Sequence, residues 1–260
     1  MPTNNLRIAL LHLAPIPGDL VRNRRLVETA VTAAARLGAT WIITPELVVT
    51  GYTFADSIGT EWILPQPDSW MTHMSQLAAQ LRVTLFLACP EQDRKSGKLY
   101  NSLFVIAADG SIVGAHRKIN TLRVGSEAWS TPGTEAVAIP VAPFTRIGMM
   151  ICADAYTPAI ARTLQAQGAQ LLISSAAWAP GHHGPNGEWE RCTGDTGLPL
   201  IVCNRTGPDK TLDFRQAETV VAKDGRRLLS LSSVRSAIFT IEWDLEAQTL
   251  ATQNYHTHHL

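Results

Sequence analysis

Apolar positions along the chain follow two alternating spacings. LRIALLHLA, residues 6–14, is a continuous apolar run of strand length. From Asp19 to Leu37 the spacing changes: Leu20, Leu26, Val27, Ala30 and Ala34 share one helical face, and Gly38 stands where a left-handed cap belongs. TWIITPE (40–46) predicts a short strand running into a loop, 68–81 a second helix and VTLFLACPE (83–91) another strand. LYNSLFVIAADGSIVGAHRK reads as a hairpin turning at Ala108-Asp109-Gly110. Further on, the pattern predicts a strand over 146–152, a helix over 158–167, a turn and strand over 168–174 and a short helix over 188–197. The strand LPLIVCN follows, then strands in AETVVAKDGRRLLSLSSVRSAIFTIEW with a turn at Lys223-Asp224-Gly225. Apolar patterning fades from about Asp244, so the tail 244–260 is expected to reach away from the domain, where it could serve contacts between copies. No repeat, low-complexity tract or linker divides the chain. One domain over 1–260 is expected, of mixed α/β class with helices covering sheets.

Composition narrows the classes. The chain is 45% hydrophobic and 17% charged, an ordinary globular balance, and 260 residues suffice for a sizeable core. Twenty-two basic residues offset twenty-two acidic ones, which gives no electrostatic case for a nucleic-acid partner or a membrane surface. MPTNNLRIALLHLAP carries no export-signal pattern, and no apolar run reaches the length that spans a bilayer. Cys89, Cys152, Cys192 and Cys203 lack paired ligand spacing, so free thiols in a reducing, cytoplasmic compartment are expected.

Three polar residues end apolar strand candidates, where a side chain can leave the core and enter a cleft. Glu46 ends TWIITPE, Lys118 ends GAHRK and Cys152 ends RIGMMIC. Taken singly, such a cysteine is usually a small buried hydrophobe, the glutamate a solvated carboxylate and the lysine a surface charge. Spacing alone does not bring them together.

Their flanks do more. P-E-L-V-V-T-G-Y (45–52), H-R-K-I-N-T-L (116–122) and G-M-M-I-C-A-D (148–154) resemble, in order, the signature segments of the nitrilase superfamily. Y-N-S (100–102), D-G (109–110), G-S-E-A-W-S-T-P-G (125–133) and C-N-R-T-G (203–207) extend the resemblance from the first strand to about residue 242. It implies a four-layer α-β-β-α sandwich, no metal or organic cofactor, and a homodimer or larger homo-oligomer. It also implies a catalytic triad: Glu46 as general base, Lys118 as oxyanion stabiliser and Cys152 as nucleophile, with Glu127 positioning the lysine and substrate. C-A-D at 152–154 is nearer to amidase and carbamoylase branches than to true nitrilases, so an amide-type small molecule is the expected substrate. Asp154 is expected to be structural, and His116 to pack or support rather than exchange protons. Trp178 falls in a region that lines the pocket in relatives. Tyr52, Phe54 and Trp129 could add apolar walls or simply pack.

Such chemistry answers a definite difficulty. A free thiol is mostly protonated at neutral pH, and an amide carbon is a poor electrophile. A carboxylate can take the thiol proton and return it to the leaving nitrogen. An ammonium, with the N–H of Ala153 just after the nucleophile, can meet the oxyanion, and the same ammonium favours the thiolate. Other readings have less behind them. A zinc site from His182 and His183, or from His256, His258 and His259, lacks partners in a fixed element, and Asn204-Arg205-Thr206 is a sequon without an export signal. A catalytically silent binding module, a nitrile hydrolase and transfer of the acyl group to an amine stay open as alternatives.

Overall fold

Alternate residues of the first strand belong to different cores. Ile8 and Leu10 pack with Trp41, Phe86 and Leu103, whereas Ala9 and Leu11 pack with Val27, Ala30, Met71 and Met74. That period-two division marks a sheet covered on both faces. The computed structural model describes residues 4–122, 125–181 and 184–260. In chain order its elements are β1 (Asn5–His12), α1 (Leu20–Arg36), β2 (Trp41–Ile43), α2 (Ala55–Ile58), α3 (Ser69–Leu81), β3 (Thr84–Gln92), β4 (Leu99–Ile106) and β5 (Ile112–Arg117). There follow β6 (Ile139–Val141), β7 (Phe144–Ile151), α4 (Pro158–Ala166), β8 (Leu172–Ala176), α5 (Glu188–Thr196) and β9 (Leu200–Asn204). The last are β10 (Pro208–Asp209), β11 (Leu212–Asp213), β12 (Thr219–Lys223), β13 (Arg226–Leu231), β14 (Ala237–Asp244), β15 (Thr249–Leu250) and β16 (His256–His259).

Among the described residues, one sheet runs β15-β14-β1-β2-β3-β4-β5, with β16 also on β14, and a second runs β13-β12-β9-β8-β7-β6. β1, β2 and β3 are parallel neighbours, as are β7, β8 and β9, while hairpin and return strands pair antiparallel. The inner core joins Ile8, Trp41 and Phe86 of the first sheet to Met149, Ile173 and Ile201 of the second. Helices α1 and α3 cover the outer face of the first sheet, and Ile160, Leu164 and Trp189 of α4 and α5 pack on the second. The four layers are therefore α-β-β-α.

Local chemistry sets the element ends. Asp19 caps α1 by accepting from the Arg22 N–H at 3.0 Å, and Asp68 caps α3 by accepting from Met71 at 2.7 Å. Gly38 takes φ +85° just past α1, as its place in the sequence predicts. The tail departs from expectation. Rather than reaching away, it returns to the first sheet: Trp243 pairs with Leu250, and Phe239 with Thr257. Backbone hydrogen bonds hold these strands, and such pairing leaves no trace in an apolar pattern.

Candidate active site

The two sheets meet where their strands end. Beyond β2 the chain crosses between them: Thr44 accepts from the Ala88 N–H through its hydroxyl and from Ser175 Oγ through its carbonyl, at 3.0 and 2.7 Å. The Glu46 N–H then reaches the Ala176 carbonyl at the end of β8, at 3.3 Å. Lys118 follows β5 and is fixed by backbone bonds to Asn101 and Gly133, at 2.8 and 2.7 Å. Gly133 must be glycine here, because a Cβ would collide with the Arg117 carbonyl oxygen. Cys152 follows β7 at φ +47°, a left-handed conformation unusual for a side-chain-bearing residue. It opens a short turn over Cys152–Tyr156. In such a turn the first N–H groups, those of Cys152 and Ala153, have no acceptor within the turn.

Glu46, Lys118, Glu127 and Asn101 form one buried network. Lys118 Nζ donates to Glu46 Oε1 at 2.7 Å and to Glu127 Oε2 at 2.9 Å. Asn101 Nδ2 donates to the same two carboxylates, at 2.7 and 2.9 Å. Glu46 Oε2 accepts from the Ala177 N–H at 2.8 Å, and Glu127 also accepts from the Leu122 N–H at 3.2 Å and from Tyr52 Oη at 3.4 Å. All four side chains are at most 1% exposed, so these partners replace water.

The charges act on Cys152. Burial pushes its thiol well above the ordinary range, Glu46 and Glu127 push it further, and Lys118 pulls it down without prevailing. The expected pull of the ammonium towards the thiolate is present, but burial and the two carboxylates outweigh it, so the thiol stands above the ordinary cysteine range. Burial also raises the Glu46 carboxyl, against the pull of Lys118. For Lys118, burial opposes the ammonium, but Glu46 and Glu127 outweigh it and the pKa stands well above ordinary lysine.

A cavity of about 680 Å³ opens onto the sulfur. Cys152, Ala153, Ala177, Tyr52 and Trp178 line its buried end, while Leu122 and Tyr156, each about half exposed, lie at its mouth with Leu212. Glu46, Lys118, Cys152 and Glu127 thus converge, and Tyr52, Ala153 and Trp178 border the same space. Phe54 and Trp129 instead meet edge to face, with centroids 5.1 Å apart, outside the lining. His256, His258 and His259 lie exposed on β16, and His182 and His183 fall outside the described residues.

Several residues gain roles that sequence reasoning had not given them. Asn101 stood inside Y-N-S, but nothing in the motif indicates that its amide bridges two carboxylates. Asp154 and His116, expected to be supporting, form a brace. Asp154 Oδ2 receives His116 Nε2 at 2.7 Å and the Ile151 N–H at 2.9 Å; Oδ1 receives the N–H groups of Ile119 and Asn120. This ties the turn of Cys152 to the segment carrying Lys118. Arg205 forms a buried ion pair with Asp209, whose carboxylate also holds the N–H groups of Tyr52 and Thr53, at 2.8 and 3.2 Å. Tyr52 is thereby fixed at the cavity wall.

Comparisons with known proteins bear on the family and the fold. The carbon–nitrogen hydrolase family model matches residues 7–252. A protein of Schizosaccharomyces pombe named as a probable nitrilase is 26% identical over 258 residues, covering 96% of this chain and 93% of its own length. The N-carbamoylputrescine amidase of Solanum lycopersicum is 25% identical, with 88% and 83% covered. The NitN amidase of Nesterenkonia sp. AN1 superposes with a TM-score of 0.80 at 22% identity over 94% of each chain, a likeness of fold. A variant of that amidase has been crystallised with acrylamide added to its active-site cysteine. By its sequence match over nearly its whole length, this chain belongs to the carbon–nitrogen hydrolase family, within the nitrilase superfamily.

Proposed function

We propose that the chain hydrolyses the C–N bond of an amide-type substrate through a thioester on Cys152, with Glu46 moving protons and Lys118 stabilising the oxyanion. The observation that carries this reading is a single buried cluster. Glu46, Lys118, Glu127 and Asn101 are bonded together beside a thiol that faces an open cavity.

The steps follow from the charges. Because the sulfur rests as a thiol, its proton passes to Glu46 as the S–C bond forms, and burial makes that carboxylate a stronger base than glutamate in water. The carbonyl π electrons move to oxygen, where an N–H of Lys118 and the Ala153 N–H meet the charge. Two Lys118 donors are engaged by Glu46 and Glu127, leaving a third for this contact. One such donor commonly contributes about 3–4 kcal/mol to the transition state. The oxyanion collapses, the C–N bond breaks, and Glu46 delivers its proton to the departing nitrogen. Water then loses a proton to Glu46 and attacks the thioester; the acid leaves and the proton returns to sulfur. Glu127 holds Lys118 in place and touches no reacting atom.

Ammonia release from a panel of primary amides, with intact-mass analysis, tests the reading. Wild type should turn over at least one amide and carry a single acyl or acrylamide adduct, and Cys152→Ala should do neither. Equal release by both proteins sinks the proposal.

A further inference from the structure

The cavity's lining specifies more than a reaction type. Among its described residues none is Asp, Glu, Lys or Arg. Its walls include the apolar side chains of Leu122, Ala177, Pro180 and Leu212 and the rings of Tyr156 and Trp178, with Tyr52, whose hydroxyl is turned to Glu127, beside the sulfur. Among the described residues, the nearby charges Lys118, Arg205 and Glu188 are already paired. Lys118 is held between two carboxylates, Arg205 is buried against Asp209, and Glu188, which acts on Tyr156 from beside the mouth, binds Arg191 at 2.6 Å. The cluster behind the sulfur sets the two carboxyl groups of Glu46 and Glu127 against the single ammonium of Lys118.

Trp178 is the fixed part of this lining. Asn204 clamps its backbone from both sides, accepting its N–H at 3.0 Å and donating to its carbonyl at 3.0 Å. Its ring meets Tyr156 edge-on at 4.9 Å and Trp189 at 5.4 Å. A wall held this way loses little freedom when a ligand lies on it. The volume of about 680 Å³ also lies within the range of sites that take molecules well beyond acetamide in size.

We infer that the site selects amides with an uncharged, apolar acyl group that lies against Trp178, an inference resting on the hydrolase reading above. A carboxylate on that group would face the Glu46 and Glu127 carboxyls, with no unpaired cation in the lining among the described residues to receive it. An ammonium there would be buried with no unpaired carboxylate in the lining among the described residues. An alkyl or aryl group gains affinity from each methylene removed from water.

Two measurements test this. The first is kcat/KM for the straight-chain amides from acetamide to pentanamide, beside succinamate and 4-aminobutanamide. The neutral series should climb about fourfold per methylene, and both charged amides should fall at least about 100-fold below butanamide. Trp178→Ala should flatten the climb, mainly through KM. The second needs no turnover: alkylation of Cys152 by iodoacetamide and by iodoacetate, each normalised to glutathione and read by peptide mass spectrometry. The neutral reagent should be favoured at least about 30-fold. Succinamate or 4-aminobutanamide matching butanamide overturns the inference and leaves the hydrolase reading standing. No turnover of any amide, with the alkylation preference intact, defeats the hydrolase reading and leaves the apolar pocket standing. An alkylation ratio near one overturns the pocket assignment whatever the turnover.

Discussion

Removing the charge of Lys118 while keeping its bulk tests the electrostatic account most directly. Lys118→Met leaves Glu46 and Glu127 sharing a water-free space with Asn101 as their common donor. At separations of 2.7 and 2.9 Å, and an effective dielectric near 20, each lost ion pair had a gross attraction of about 6 kcal/mol. Desolvation offsets much of that, and stranding a buried charge typically costs about 3–5 kcal/mol net. For a chain of this size the loss is on the order of 10 °C in Tm. It also acquires a pH signature. Without the ammonium, the folded-state proton affinity of Glu46, already raised by burial, rises further above that of unfolded glutamate. The stability linked to taking up that proton is fully present below about pH 4.3 and is lost as pH rises through the folded value. Scanning fluorimetry from pH 5 to 8 should therefore show the variant's Tm falling more steeply than wild type, with turnover abolished throughout. A variant within 2 °C of wild type at pH 8, with an equal slope, would refute the claim that Lys118 neutralises this cluster.

Three further outcomes follow from other features. His12 is buried and its pKa is lowered from 6.5 to about 4, so its unfolded form binds the proton more readily; a difference of 2.5 units corresponds to about 3 kcal/mol, present above pH 6.5 and lost as pH falls towards 4. His12→Gln should remove that acid-side slope from urea unfolding measured between pH 7 and 4. Cys152 sits at φ +47°, so Cys152→Gly should exceed Cys152→Ala in stability by about 1 kcal/mol, whereas the reverse order in paired melts would show the turn to be unstrained. Gly133→Ala forces a methyl against the Arg117 carbonyl and displaces the segment bonded to Lys118; turnover should drop at least tenfold, and retention of full activity would separate that segment from the site.

Sequence patterns carried part of this far. The face of α1, the cap at Gly38 and the hairpin of β4 and β5 were readable because they depend on neighbours within a few residues. Glu46, Lys118 and Cys152 were readable as strand-end polar groups, and the flanking motifs singled them out from ordinary loop charges. What joins them was hidden. The bond from Asn101 to Glu46 spans 55 positions, and that from the Ala177 N–H to Glu46 spans 131, so no local spacing reports them. The brace of His116 on Asp154 was hidden for the same reason. The pull of Lys118 on the Cys152 thiol was readable, whereas the burial and the second carboxylate that outweigh it come from distant parts of the chain and were not. The return of the tail to β14 depends on main-chain donors and acceptors, which every sequence possesses.

Glu46 and Lys118 leave the ends of β2 and β5 in one sheet, while Cys152 leaves β7 in the other, and the Ala177 N–H after β8 serves Glu46 and bears on the sulfur. The groups proposed to react therefore straddle the interface between two stacked layers. A slip of one layer over the other by an ångström would separate sulfur from base while leaving both hydrogen-bonded ladders whole. Turnover should accordingly vanish a few degrees before far-ultraviolet dichroism changes, making the reaction a gauge of how well the layers are aligned.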